Sequence, residues 1–283
     1  MRILLTNDDG VLAPGLAALA RAVSNWCAEA PADDVREALV VAPNTNYSGM
    51  SAAVGDVFSR PTVGYRRHEI TGATNVRAYG LDAPPALCAI LGALGGFDFE
   101  PDVVVSGINA GANVGRSILH SGTIGAIFSG AQLGLSGLAV SVQWGEDVHY
   151  DTAAAVAIEV LNELATAPAR TLLNLNVPNL PASELRGVRR GRVSAAGIVK
   201  AAGPRAGGEA LGDEGELPLR VGSASPEVGD VSDEASDEDG ALVVAGYASL
   251  TALRGPHEEN DTAFDGVTAR ALDAIDRHLR ARR

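Results

Sequence analysis

Short apolar runs alternate with longer stretches of helical period through the first two thirds of the chain. Residues 2–6, 38–42, 102–105, 138–142 and 171–177 are brief and rich in Val, Ile, Leu and Ala, as buried strands are. Between them, Leu16, Leu19, Ala20 and Val23 recur at helical spacing behind Pro14-Gly15. Leu87, Ile90, Leu91 and Leu94 do so behind Pro84-Pro85, and Ile124, Ile127, Phe128 and Ala131 behind Ser121-Gly122-Thr123. A further helix, capped by Asp151 or Thr152, runs through Leu164. This alternation predicts an α/β fold with a doubly wound, mostly parallel sheet.

The pattern thins between about residues 203 and 240, where Gly, Ser, Pro, Glu and Asp dominate. The acidic stretch 230–239 reads as a solvated, mobile loop, with a partner-binding arm as the alternative. Residues 241–250 return to strand-like sequence and 262–279 to a helical pattern. The expected organisation is a core over 1–190, an acidic Gly/Ser-rich arm or loop over 191–240, and a returning strand and closing helix over 241–283.

Composition narrows the function. The chain of 283 residues is 46% hydrophobic, enough for a substantial core, and its net charge of −13 argues against a nucleic-acid polymer as ligand. Cys27 and Cys88 are two thiols in apolar helical contexts, which makes a disulfide framework improbable and a reducing cytoplasm the expected location. The sequence shows neither a signal peptide nor an apolar stretch long enough to span a membrane.

Against this background Asn7-Asp8-Asp9-Gly10 stands out, because it follows the first strand directly. Asn, Asp and Gly make ordinary turns, but two neighbouring carboxylates repel each other, and a hard cation such as Mg²⁺ or Mn²⁺ relieves that repulsion. The second and third strands end in polar residues as well, Asn46 and Ser48, then Ser106 and Asn109. In a parallel sheet such ends line one edge, so Asp8, Asp9, Ser48 and Asn109 form a candidate hard-ligand set, poor for zinc. Ser121-Gly122-Thr123 at a helix start offers amides and hydroxyls to an anion, or simply caps the helix. Gly49, Gly107 and Gly111 permit close approach to a ligand, or turn the chain. His120 adjoins this segment; the five histidines show no metal-ligand spacing.

These blocks, with Ala13-Pro14-Gly15, the residues 105–113 that include Ser106-Gly107-Ile108-Asn109, His149-Tyr150, the segment 173–178 and the segment 246–251, strongly resemble SurE-type 5'/3'-nucleotidases, the survival-protein phosphatases. The resemblance covers most of the chain. It implies a Rossmann-like, divalent-metal-dependent phosphomonoesterase acting on nucleoside 5'- and 3'-monophosphates as a homodimer or homotetramer. One divalent cation per subunit, Mg²⁺ or Mn²⁺, is then expected on Asp8, Asp9, Ser48 and Asn109, with Asp8 and Asp9 catalytic. Asn46, Gly49, Ser106, Gly107, Ser121, Gly122 and Thr123 are expected around the phosphate. Three places depart from the family pattern: residues 80–88, His120 where tyrosine is frequent, and the acidic stretch 191–240.

The expected chemistry is in-line attack on phosphorus by a metal-bound water with Asp8 as general base, or by Asp8 itself. A dinucleotide-dependent oxidoreductase is the enzyme rival, opposed by the acid pair where a Gly-rich pyrophosphate loop would stand. The non-enzyme rival is a regulatory or scaffold protein that presents the acidic 203–240 segment to a basic partner.

Overall fold

The computed structural model describes residues 1–59, 61–195, 199–201, 219–221 and 236–256. Within residues 1–253 the described segments build one sheet, β3-β4-β2-β1-β5-β6-β7-β11-β8. Its strands are β1 (Arg2–Thr6), β2 (Glu37–Pro43), β3 (Tyr65–His68), β4 (Arg77–Leu81), β5 (Val103–Ala110), β6 (Ser136–Val142), β7 (Leu172–Val177), β8 (Val188–Arg190) and β11 (Ala248–Leu253). The six strands from β4 to β7 in this order are mutually parallel, while β3 and β11 join antiparallel at either side. Val199–Ala201 (β9) and Leu219–Val221 (β10) form a separate antiparallel ribbon. The fold class is the one the apolar pattern predicts.

Strand alternation divides the core in two. Ile3 and Leu5 face the helices α1 (Pro14–Ala28) and α4 (Tyr150–Leu164), packing with Leu16, Leu19, Ala157 and Leu161. Leu4 faces the other way, with Leu39, Val104, Ala89, Ile124 and Ile127 beside α2 (Pro85–Ala93) and α3 (Gly122–Gln132). Helices therefore cover both faces, and each strand of the centre reads as continuous apolar sequence because both its faces are buried.

β1 lies between β2 and β5, and the chain leaves β1 to one side and later returns to the other. The crevice at such a reversal of strand order, beyond the carboxyl ends of the strands, is the usual ligand site of an open α/β sheet.

Three sequence expectations need revision, and one element was not expected. The third strand does not stop at residue 105: β5 continues through Ala110, with a register shift against β6 between Ser106 and Asn109. Ser106 is therefore mid-strand, and the bulge re-aims the strand before Asn109. Residues 241–247 are not strand. A helix, α5 (Asp239–Val244), takes the first of them, Ala245 caps it and Gly246 follows at φ +85°, so the strand begins only at Ala248. A short apolar run fits either element, and the left-handed glycine decides for a helix end. Asp239 is not a solvated loop residue either: it is fully buried. The hairpin of β3 and β4 was unexpected, because β3 is mostly exposed and carries Tyr-Arg-Arg-His rather than an apolar run. The expected helix at 262–279, and most of the 203–240 stretch, lie outside the described residues.

Candidate active site

The first loop separates two tasks that the sequence left as alternatives. Asn7 Nδ2 donates to Gly10 O at 2.9 Å and Gly10 N donates to Asn7 Oδ1 at 3.3 Å, so these two residues close the turn. Gly10, at φ +114°, supplies the backbone conformation it needs. The carboxylates between them are left to interact elsewhere. Both a turn and an acid pair are present, on different residues.

Asp8 is 3% exposed and points at the start of α3. Thr123 Oγ1 donates to Asp8 Oδ1 at 2.8 Å. A Cβ on Gly122 would lie 2.8 Å from both Asp8 Cβ and Asp8 Oδ2, so only glycine lets the helix come this near. Burial raises the Asp8 carboxyl above its ordinary range, against the opposing pull of the Thr123 hydroxyl and the amides of Asp8, Thr123 and Gly122. Ser121 caps the same helix, its Oγ accepting from Ile124 N at 3.2 Å.

Asp9 is half-buried and reaches the other two strand ends. Asn46 Nδ2 donates to Asp9 Oδ1 at 3.3 Å, and the Ala110 amide at the end of β5 also lies in hydrogen-bonding contact with it. Burial, and after it the charge of Asp8, push the Asp9 carboxyl up to about 6. Asn46 Oδ1 accepts from Ser48 N at 2.8 Å, which fixes the loop carrying Ser48 and Gly49. Tyr47 N donates to Asp8 O at 2.7 Å, joining that loop to the acid pair a second time. Asn109, next to Ala110, donates from Nδ2 to Gly111 O at 2.7 Å. The oxygens Ser48 Oγ and Asn109 Oδ1 have no protein partner among the described residues.

Asp8, Asp9, Asn46, Ser48, Asn109, Gly122 and Thr123 are thus brought together around the ends of β1, β2 and β5. Ser106 and Gly107 are placed differently. Ser106 is fully buried beside Thr6, and neither hydroxyl has a hydrogen-bond partner among the described residues. Gly107 packs its Cα against the Val140 carbonyl of β6. His120 is exposed, with its carbonyl taken by Ser51 N. Cys88 is buried and Cys27 half-buried, both free thiols, and burial pushes both up in pKa.

Two groups of residues beside the site entered the resemblance without a site role, or not at all. Tyr150, at the start of α4, packs its ring against Gly15; burial and then the charge of Asp9 raise its phenol. Behind the site, Asn113 N donates to Asn176 Oδ1 at 2.7 Å and Asn113 Nδ2 to Ser141 Oγ at 2.8 Å. Asn174 and Asn176 return hydrogen bonds to Asn113 O, and Gly115 N donates to Asp239 Oδ2 at 2.8 Å. This network anchors the loop after Asn109. Its signal was two asparagines at alternate positions of an otherwise apolar strand, on one face, where buried amides demand partners.

The family model for survival protein SurE matches residues 3–199. The chain belongs to the SurE family. It is 38% identical over 259 residues to a protein of Cronobacter sakazakii named 5'/3'-nucleotidase SurE, covering 89% of this chain and 90% of that one. It is 39% identical over 233 residues to a 5'-nucleotidase SurE of Methylococcus capsulatus, covering 80% and 82%. Among solved structures, the SurE protein of Aquifex aeolicus superposes with a TM-score of 0.70 at 24% identity, covering 96% of this chain and all of that one, which shows a shared fold.

Proposed function

We propose that this SurE-family chain is a divalent-metal-dependent phosphomonoesterase that hydrolyses nucleoside 5'- and 3'-monophosphates. The substrate class follows from the names of its nucleotidase relatives. The observation that carries the chemistry is the acid pair itself. Asp8 and Asp9 are adjacent, both raised in pKa, and paired with no Lys, Arg or His among the described residues.

That deficit fits a hard cation. Asp8, Asp9, Ser48 and Asn109 offer oxygen alone, without the Cys or His that zinc prefers. Two carboxylates with the hydroxyl of Ser48 and the amide oxygen of Asn109 suit Mg²⁺ or Mn²⁺ instead, one per subunit. A bound ion would offset charge on the phosphoryl oxygens and favour ionised carboxylates.

The protein groups divide the remaining work. Thr123 holds the Asp8 carboxylate through Oδ1, and this carboxylate is the group that would accept a proton from an attacking water. Asn46 and the Ala110 amide orient Asp9. Ser121, Gly122 and Thr123 set the positive end of α3 beside Asp8, where a phosphoryl group would meet it, with Gly49 at the opposite loop. The scaffold alternative is weakened by the acidic segment itself. Asp237 and Glu238 are already paired with Arg192 at 3.1 and 3.5 Å, and Asp239 is buried, so Asp239 is not presented to a basic partner.

A homodimer or homotetramer in the cytoplasm belongs to the same proposal. No helix among the described residues is long and apolar enough to cross a membrane. The test is phosphate release from nucleoside monophosphates with and without chelator, beside Asp8→Asn and Asn109→Ala. Chelator-sensitive release that both variants largely lose is expected. Undiminished release in both variants would remove the site.

A further inference from the structure

We propose that Met50 and Leu119 form an apolar lip that receives the base of the nucleotide substrate; this rests on the phosphomonoesterase reading and extends it to specificity. The two side chains belong to different loops, each continuous with the site. Met50 follows Ser48-Gly49, and Leu119 precedes the Ser121 cap of α3.

Ser51 fastens these loops together. Its Oγ donates to Leu119 O at 2.7 Å and its N donates to His120 O at 3.1 Å. It holds a left-handed backbone, φ +54°, unusual for serine, and its carbonyl packs against Gly125 in the first turn of α3. Non-glycine residues kept in this region are over-determined by their surroundings and concentrate at ligand sites. Gly122, three residues and about 4.5 Å of rise before Gly125, touches Asp8. Ser51, which joins the Met50 and Leu119 loops, therefore sits just under one helical turn along α3 from the residue that touches Asp8.

Both side chains are exposed, Met50 at 47% and Leu119 at 69%. Nothing in the core requires apolar groups there. Two side chains cannot supply the roughly 1,200 Å² that a specific protein interface needs. They do match one face of a flat, weakly polar ring that is tethered to the phosphoryl group through a sugar. A thioether and a branched alkyl group give contact without hydrogen-bond readout, so the lip accepts purines and pyrimidines alike.

The experiment compares kcat and KM of the full-length protein and a Met50→Ser/Leu119→Ser variant, with Mg²⁺ or Mn²⁺ present. One substrate is a nucleoside 5'-monophosphate. The other is ribose 5-phosphate, which keeps phosphate and sugar and lacks the base. The variant is expected to raise KM for the nucleotide about tenfold more than for ribose 5-phosphate, from the lost apolar contact. Equal effects on both substrates, or none on either, overturn the lip. So does a change in sedimentation coefficient that accounts for the kinetic change, because the surface would then contact a second copy of the chain. If the unaltered protein cleaves neither substrate, the phosphomonoesterase reading fails and takes the lip with it. If it cleaves both with the same KM, the lip alone fails.

Discussion

Thr123 Oγ1 and Asp8 Oδ1 meet at 2.8 Å although 115 positions separate them in sequence, and the bond is buried. It locks the start of α3 to the end of β1, so one hydroxyl fixes both the orientation of an acid and the placement of a helix terminus. Thr123→Val keeps the shape and removes the donor. A hydrogen bond to a charged group contributes about 1.5–3 kcal/mol, so the variant should lose stability of that order in urea titrations and phosphatase activity with it. Thr123→Ser should restore most of both. If Val and Ser variants behave alike, the hydroxyl has no such role.

Gly122→Ala tests the closeness of the same approach. The added methyl would meet Asp8 Oδ2 at 2.8 Å and Pro85 Cγ at 3.0 Å, neither of which is the end of a flexible chain. Overpacking of this kind costs about 1–3 kcal/mol, and an ångström of displacement at reacting groups costs roughly a hundredfold in rate. Activity should therefore fall much further than stability, as read by kcat beside a thermal melt. A variant with full kcat would show that the helix start can retreat without consequence.

The acid pair also sets a pH dependence. Asp9 is pushed up to about 6 from 3.8, and Asp8 is raised too. Without a cation the folded protein retains protons that the unfolded chain has released. The associated stabilisation is complete below 3.8 and is lost as pH rises through about 6. Cation binding needs the ionised carboxylates, so it should strengthen over the same interval. Thermal melts with and without Mg²⁺ or Mn²⁺ should show a small gain at about pH 5 and a larger one at about pH 8. A gain independent of pH, or one kept by Asp9→Asn, would contradict this.

Asp239→Ala should be among the most damaging changes outside the site. The carboxylate accepts from Gly115 N, Ser194 N and Gly240 N, and it is fully buried. Each stranded amide costs on the order of 1–3 kcal/mol. Chemical denaturation should report a loss of several kcal/mol, and kcat should drop because the loop after Asn109 loses its anchor. Asp239→Asn, which keeps one acceptor oxygen, should lie between the two.

Much of this was written in local sequence. The central strands are apolar because both faces are covered, and Pro14-Gly15 and Pro84-Pro85 mark helix starts that the structure places at Pro14 and Pro85. The gathering of Asp8, Asp9, Asn46, Ser48 and Asn109 at one edge was legible because strand ends of a parallel sheet must share an edge. What escaped depends on packing between distant segments. β3 carries exposed polar residues and is defined by its pairing with β4, not by its own composition. Tyr150 reaches the site only because α4 lies beside α1. Asp239 looked like one carboxylate in an acidic run, and nothing local distinguishes it from its neighbours Asp237 and Glu238, which meet Arg192 at the surface. Its burial is set by Gly115 and Ser194, more than 40 residues away in each case.

The entry of β11 between β7 and β8 has a consequence for biosynthesis. Asp239 and residues 248–253 are translated long after Asn109, yet Asp239 accepts from the Gly115 amide and β11 pairs with β7, whose Asn174 and Asn176 hold Asn113. A nascent chain that has emerged only as far as β7 already carries both acids, Ser48 and Asn109, but its Gly115 amide still lacks an acceptor. On the proposed chemistry, competence for hydrolysis is thereby coupled to the arrival of a late segment, because a chain cut short before residue 239 would carry the acid pair while its Gly115 loop lacked the Asp239 anchor.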